Sequence, residues 1–205
     1  LRQLEKGSAA SSIIYTSDAA ATRNADVWTS TLPDTWSATA GAIHLTGLLA
    51  YTQDSTEVII WSADDGTTDN RIQIIRTASN TLALRITTGG VEQALCESVA
   101  TYTAGDAYSI AATWATDHAA ISADGAAVVT DASVTLPTVT ATAIGSTTSG
   151  SGQIYGAVEV ADYYSTRQSN NQLRVLAGYQ IQQLIDANGD TLLDADGANL
   201  LAENA

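Results

Sequence analysis

Apolar residues recur at every second position over much of the chain, and this spacing sets the first expectation. Leu82, Leu84 and Ile86 alternate with Thr81, Ala83, Arg85 and Thr87, and Tyr108, Ile110, Ala112 and Trp114 share one face in the same way. A repeat of two places successive side chains on opposite faces of a pleated strand, so each run reads as a half-buried antiparallel strand. Short runs of this kind follow one another from about Trp28: Ala42–Tyr51, Glu57–Trp61, Arg71–Arg76, Thr81–Thr87, Val91–Val99, the Tyr108–Trp114 segment, Ala119–Asp124, Ala127–Thr130 and Gln153–Tyr164. Turn chemistry separates them. Asp65-Gly66, Ala78-Ser79-Asn80, Gly89-Gly90 and Ala123-Asp124-Gly125-Ala126 supply residues that accept positive φ at little cost. Many short strands at close spacing predict an all-β sandwich or barrel.

One segment departs from the strand pattern. Ser169-Asn170-Asn171-Gln172 has the spacing of a capping box, and Leu173, Leu176 and Ala177 follow at helical intervals. The expectation is an all-β, antiparallel two-sheet sandwich with one short C-terminal helix lying across an edge. Residues 1–26, rich in Ser, Ala and Thr, read as a connector from an upstream domain. Residues 27–178 form the sandwich, and 179–205 form a tail with two similar turn phrases that suggest a small hairpin.

The residues also resemble a known family. Gln3-Leu4-Glu5-Lys6-Gly7-Ser8, Ser12-Ile13-Ile14-Tyr15-Thr16-Ser17 and Thr22-Arg23-Asn24-Ala25-Asp26 look like a connector common in phage tail-fibre and virion surface proteins. The likeness continues through Asp65–Ile72, Tyr108–Trp114, Asp124-Gly125, Ile144-Gly145-Ser146 and Tyr163–Leu173, and departs from the usual closing phrase at Gln168. It implies a concanavalin A-like (LamG-type) jelly roll. It further implies a structural or adhesive module on the outer surface of a phage particle, as fibre, appendage or capsid decoration. The partners implied are other virion proteins and further copies of the chain, such fibres being commonly trimeric. The alternative is a glycan-binding module for host-receptor recognition.

Composition narrows the partners. Twenty-two acids against eight bases give a formal net charge of −14, and Lys6 is the only lysine. Such a surface repels phosphate backbones and anionic lipid headgroups, so nucleic acid is not an expected partner. No apolar run reaches the length of a membrane-spanning helix, so membrane insertion is not expected either. Cys96, the only cysteine, has no partner for an internal disulfide and reads as a small buried hydrophobe.

Catalytic chemistry is sparse. A glycosidase needs two converging carboxylates, and Glu159 with Asp162 is the nearest approach; a spacing of three puts them on opposite faces of a regular strand. A nucleophilic triad needs a histidine. Only His44, inside an apolar strand, and His118, at a turn, are present, and both read as structural or surface residues. No enzyme activity, catalytic residue or cofactor is expected. Asp186, Asn188, Asp190 and Asp194 imitate a calcium loop but lack its glycine and closing glutamate, since Thr191 and Gly197 stand there. Asp64-Asp65 with Asp69-Asn70 is explained by turn formation, and no metal site is expected. Sugar recognition stacks an aromatic ring on a pyranose face. Trp28, Trp36, Trp61, Tyr155, Tyr163 and Tyr164 are the rings available, though no ligand set can be assigned from spacing alone.

Overall fold

The computed structural model describes residues 27–51 and 57–178. The connector 1–26 and the tail 179–205, with its Asp186, Asn188, Asp190 and Asp194, lie outside the described residues. Eleven strands and one helix are found within them: β1 Trp28–Thr31, β2 Ala40–Tyr51, β3 Val58–Asp64, β4 Arg71–Arg76, β5 Thr81–Thr88 and β6 Val91–Thr101. β7 Ala107–Ala115, β8 His118–Ala123, β9 Val129–Asp131, β10 Ala141–Ile144, β11 Tyr155–Tyr164 and α1 Asn170–Leu176 complete the series. They build two antiparallel sheets, of order β1-β10-β3-β4-β5-β6 and β11-β2-β7-β8-β9. The expected sandwich is therefore present with its short helix, which packs on the outer face of β7 and β8 rather than across an edge.

The period-two faces meet between the sheets. Leu82, Leu84 and Ile86 of β5 pack in one cluster with Tyr108, Ile110, Ala112 and Trp114 of β7 and with Ile43, Leu45 and Leu49 of β2. Ala111 and Ala120 point the other way, from the outer face of the five-stranded sheet, and α1 seats Leu173 and Ala177 on them. Small side chains there let the helix approach closely. Its start is fixed as the sequence suggests. The Ser169 hydroxyl accepts the Gln172 N–H at 3.3 Å, and Gln172 Oε1 accepts the Ser169 N–H at 2.8 Å. Gln168, where the resemblance departs, donates its N–H to the Thr113 hydroxyl at 3.1 Å and so ties the helix entry to β7.

Two strand expectations need correction. β10 was absent from the periodicity, because Ala-Thr-Ala-Ile carries too little apolar contrast, yet it pairs with both β1 and β3. β11 is not regular: its register with β2 shifts between Val158 and Val160, a bulge that takes in Glu159. The turns conform. Asn80 and Asp124 carry φ of 69° and 49°, as short polar side chains tolerate.

Candidate functional site

The two sheets close against each other at one side, where β6 lies over β8 and β9. The edges at the other side are β1 and β11, and between them the sandwich stays open. A groove of about 410 Å³ occupies this mouth. Cross-strand register explains its walls. Trp28 and Ser30 of β1 stand opposite Ile144 and Thr142 of β10, and all four line the groove on one side, with Ala161 and Tyr163 of β11 on the other. The β1–β2 loop, Leu32 to Thr39, drops Trp36 into the gap as part of the floor.

The floor is aromatic. Trp36 stacks on Tyr163 with centroids 4.9 Å apart and planes at 14°. Trp114, beneath them, lies 6.1 Å from Trp36 and 5.9 Å from Trp61. Such offset pairs add ~1 kcal/mol each beyond their buried area. Gly41 makes room for the stack, since a Cβ there would come within 2.8 Å of the Trp114 indole. The loop is held from above, the Ser37 N–H donating to Tyr163 Oη at 3.0 Å, and burial raises the Tyr163 phenol pKa. Tyr163 therefore stays protonated at neutral pH.

Of the six aromatics considered from sequence, four thus converge in one place. Trp61 is 4 % exposed and belongs to the core, with Trp36 and Tyr163 half-buried beside it. Trp28 is different: 55 % exposed, it offers a ring to solvent at the groove's rim. Tyr155 is exposed elsewhere on β11 and Tyr164 is half-buried outside the groove lining. Asp34 and the hydroxyls of Ser30, Thr31 and Thr142 stand at the groove, and none of the four makes a hydrogen bond through its side chain among the described residues. A free ring bordered by unengaged hydroxyls and a carboxylate suits a ligand with one apolar and one hydroxylated face.

A second cluster joins residues the sequence kept apart. On the outer face of the five-stranded sheet His44 stands opposite Asp162. Its Nδ1 lies 3.7 Å from Asp162 Oδ2, and its Nε2 lies 3.5 Å from Ser109 Oγ. The order is that of a nucleophilic triad, but the strand setting defeats it. The Ser109 N–H is spent on Asp124 Oδ1 at 2.8 Å and the Ser109 carbonyl accepts from Asp124 at 2.8 Å, which leaves this serine no N–H for an oxyanion. The bulge at Glu159 interrupts the alternation of β11, so strand parity does not set Glu159 and Asp162 on opposite faces as expected. His118 is half-buried, with burial and nearby Arg167 lowering its pKa.

A third cluster lies on the outer face of the six-stranded sheet, where Ser62, Gln73 and Arg85 sit side by side across β3, β4 and β5. Arg85 grips Glu57 with two N–H groups and reaches Glu92 at 3.5 Å. Gln73 and Ser62 are fully buried, and Gln73 Oε1 and Arg71 Nε make no hydrogen bond. This face is closed to a ligand. The acidic turn beside it is consumed by its own fold. Asp64 accepts from Ser62, the Gly66 N–H and Thr148, while Asp65 accepts from Thr67 and Asn70. Among the described residues no three His, Cys, Asp or Glu side chains gather as metal ligands would.

No protein-family model matches the chain, and no curated protein sequence does. Solved structures do. The CBM40 domain of the Ruminococcus gnavus IT-sialidase, in a structure with alpha2,3 sialyllactose bound, superposes with a TM-score of 0.57 at 14 % identity, over 70 % of this chain and 85 % of that one. A heptameric SAP-like pentraxin of Limulus polyphemus gives 0.54 at 12 %, covering 69 % and 72 %. The NanB sialidase of Streptococcus pneumoniae gives 0.55 at 13 %, over 75 % of this chain and 27 % of that one. The chain thus has the concanavalin-like jelly-roll sandwich fold that these domains share. At such identities the likeness is one of fold.

Proposed function

We propose that the chain is a glycan-binding module that uses the groove between β1 and β11. The observation that carries this reading is Trp28, a half-exposed indole at the rim of a cleft lined, among the described residues, by the hydroxyls of Ser30, Thr31 and Thr142 and the Asp34 carboxylate. A pyranose presents C–H groups on one face and hydroxyls at its edge, and such a surface complements both. The volume falls within the range of small-ligand clefts, roughly 300–1,000 Å³. The fold adds support, because one of the similar structures is a carbohydrate-binding domain with a sialylated trisaccharide bound.

In this reading the chain binds sugar without cleaving it. Among the described residues Asp34 is the single carboxylate lining the groove, whereas glycoside hydrolysis takes a pair. The setting we favour is the outside of a phage particle, where host surface glycans would be the ligand. That placement rests on the sequence resemblance alone, and labelling of intact particles with an antibody to this chain tests it. The binding itself is tested on an array of bacterial and animal glycans with the intact chain and with Trp28→Ala. The expected result is a defined set of bound sugars, lost on substitution while thermal stability is kept. An array left blank by the intact chain would overturn the proposal.

A further inference from the structure

Resting on that reading of the groove, we propose that its ligands are uncharged glycans, and that the site discriminates against sugars bearing a carboxylate. The basis is the placement of charge. None of the five arginines among the described residues lines the groove. Arg71 and Arg85 lie on the outer face of the six-stranded sheet, where Arg85 is gripped by Glu57. Arg76 is buried and donates to the Tyr102 carbonyl, Arg174 reaches the Gly125 carbonyl at the helix, and Arg167 lies by His118. A carboxylated sugar is usually held by a guanidinium fork, which supplies two parallel charge-assisted hydrogen bonds. Among the described residues the groove has no such group to offer.

What it offers is of the opposite sign. Asp34 at the rim has no side-chain partner among the described residues, and the chain as a whole carries −14. An ionised carboxylate accepts hydrogen bonds only, so it takes donors from sugar hydroxyls and repels a second carboxylate. The Ser30, Thr31 and Thr142 hydroxyls both donate and accept, which matches the dual character of sugar hydroxyls. The indole of Trp28 is indifferent to charge at the sugar's edge. Discrimination therefore falls to Asp34. Like charge across a solvated cleft supports about a tenfold preference for the neutral form, or ~1.4 kcal/mol.

Matched pairs test this with little change of ligand shape. An oligogalacturonide and its methyl ester, and 3′-sialyllactose and its methyl ester, differ only in the charge and one methyl group at each carboxyl, and the Asp34→Asn arm separates the two effects. Tryptophan-fluorescence titration of the intact chain, run after the broad array, should show the esters bound about tenfold more tightly than the acids. Asp34→Asn should narrow that gap to within about threefold, and the remaining difference should shrink further as salt is raised. If the chain binds neutral glycans and acids equally, or acids more tightly, the inference fails while the glycan reading stands. If Asp34→Asn leaves the gap unchanged, Asp34 is not its source and the inference fails in that form. If no glycan of either kind binds, the glycan reading itself fails.

Discussion

Gly47→Ala offers a sharp test of how the groove's outer wall is mounted. β11 forms that wall and is held by β2, where Gly47 stands opposite Val158 on one side and Tyr108 of β7 on the other. A Cβ at position 47 would sit 2.1 Å from the Ala157 carbonyl oxygen and 2.5 Å from Tyr108 Oη. Both are far inside van der Waals contact, and the first is backbone, so a side-chain rotation cannot relieve it. β11 must move outward by about an ångström or more. That motion also breaks the bond in which Tyr108 Oη donates to the Ala157 carbonyl at 3.2 Å. Overpacking typically costs about 1–3 kcal/mol and a lost hydrogen bond about 0.5–1.5, giving roughly 2–4 kcal/mol in all. For a chain of this size that corresponds to a fall in melting temperature of roughly 5–15 °C. Differential scanning calorimetry reads this directly, and near-ultraviolet circular dichroism reports whether the Trp36–Tyr163 stack is disturbed with it. An alanine variant that melts with the parent chain would refute the close approach of β2 to β11.

Further outcomes follow from the same geometry. The Cys96 thiol is buried against β8 and its pKa is pushed up to about 11 by burial, so at pH 8 it should react with a disulfide reagent only as fast as the chain unfolds. Rapid labelling of the folded chain would contradict that burial. Asp65 and Asp106 have pKa values below the usual 3.8, because Thr67 and Asn70 bond the first and Thr103 the second. Groups with lowered folded pKa values stabilise the fold above their unfolded values, and that contribution is lost as pH falls through the lowered ones. Urea midpoints measured from pH 6 downward should therefore decline below about pH 4, more shallowly in Asp65→Asn. An identical slope in the variant would argue against the turn bonds.

Much of the fold was legible because it is local in cause. The alternation of Leu82, Leu84 and Ile86, the polar turn at Asn80 and the capping box at Ser169 each act within a few residues, and each formed as expected. β10 was not legible. Its four residues carry little hydrophobic contrast, and it exists because β1 and β3 offer backbone partners on both sides. The bulge at Glu159 likewise has no sequence signal of its own. The groove was visible only as a set of candidate rings. Trp28, Trp36, Trp61 and Tyr163 come from separate elements, and nothing in their spacing says that the sheets leave one side open. The same holds for the His44, Ser109 and Asp162 row, which sheet order alone brings together.

The most direct measurement is the crystallographic position of a bound neutral oligosaccharide selected from the array. A sugar ring stacked on the Trp28 indole, with hydroxyls on Asp34 and Thr142, is the predicted result. A sugar held instead on the outer face of either sheet, with the mouth between β1 and β11 left vacant, would contradict it.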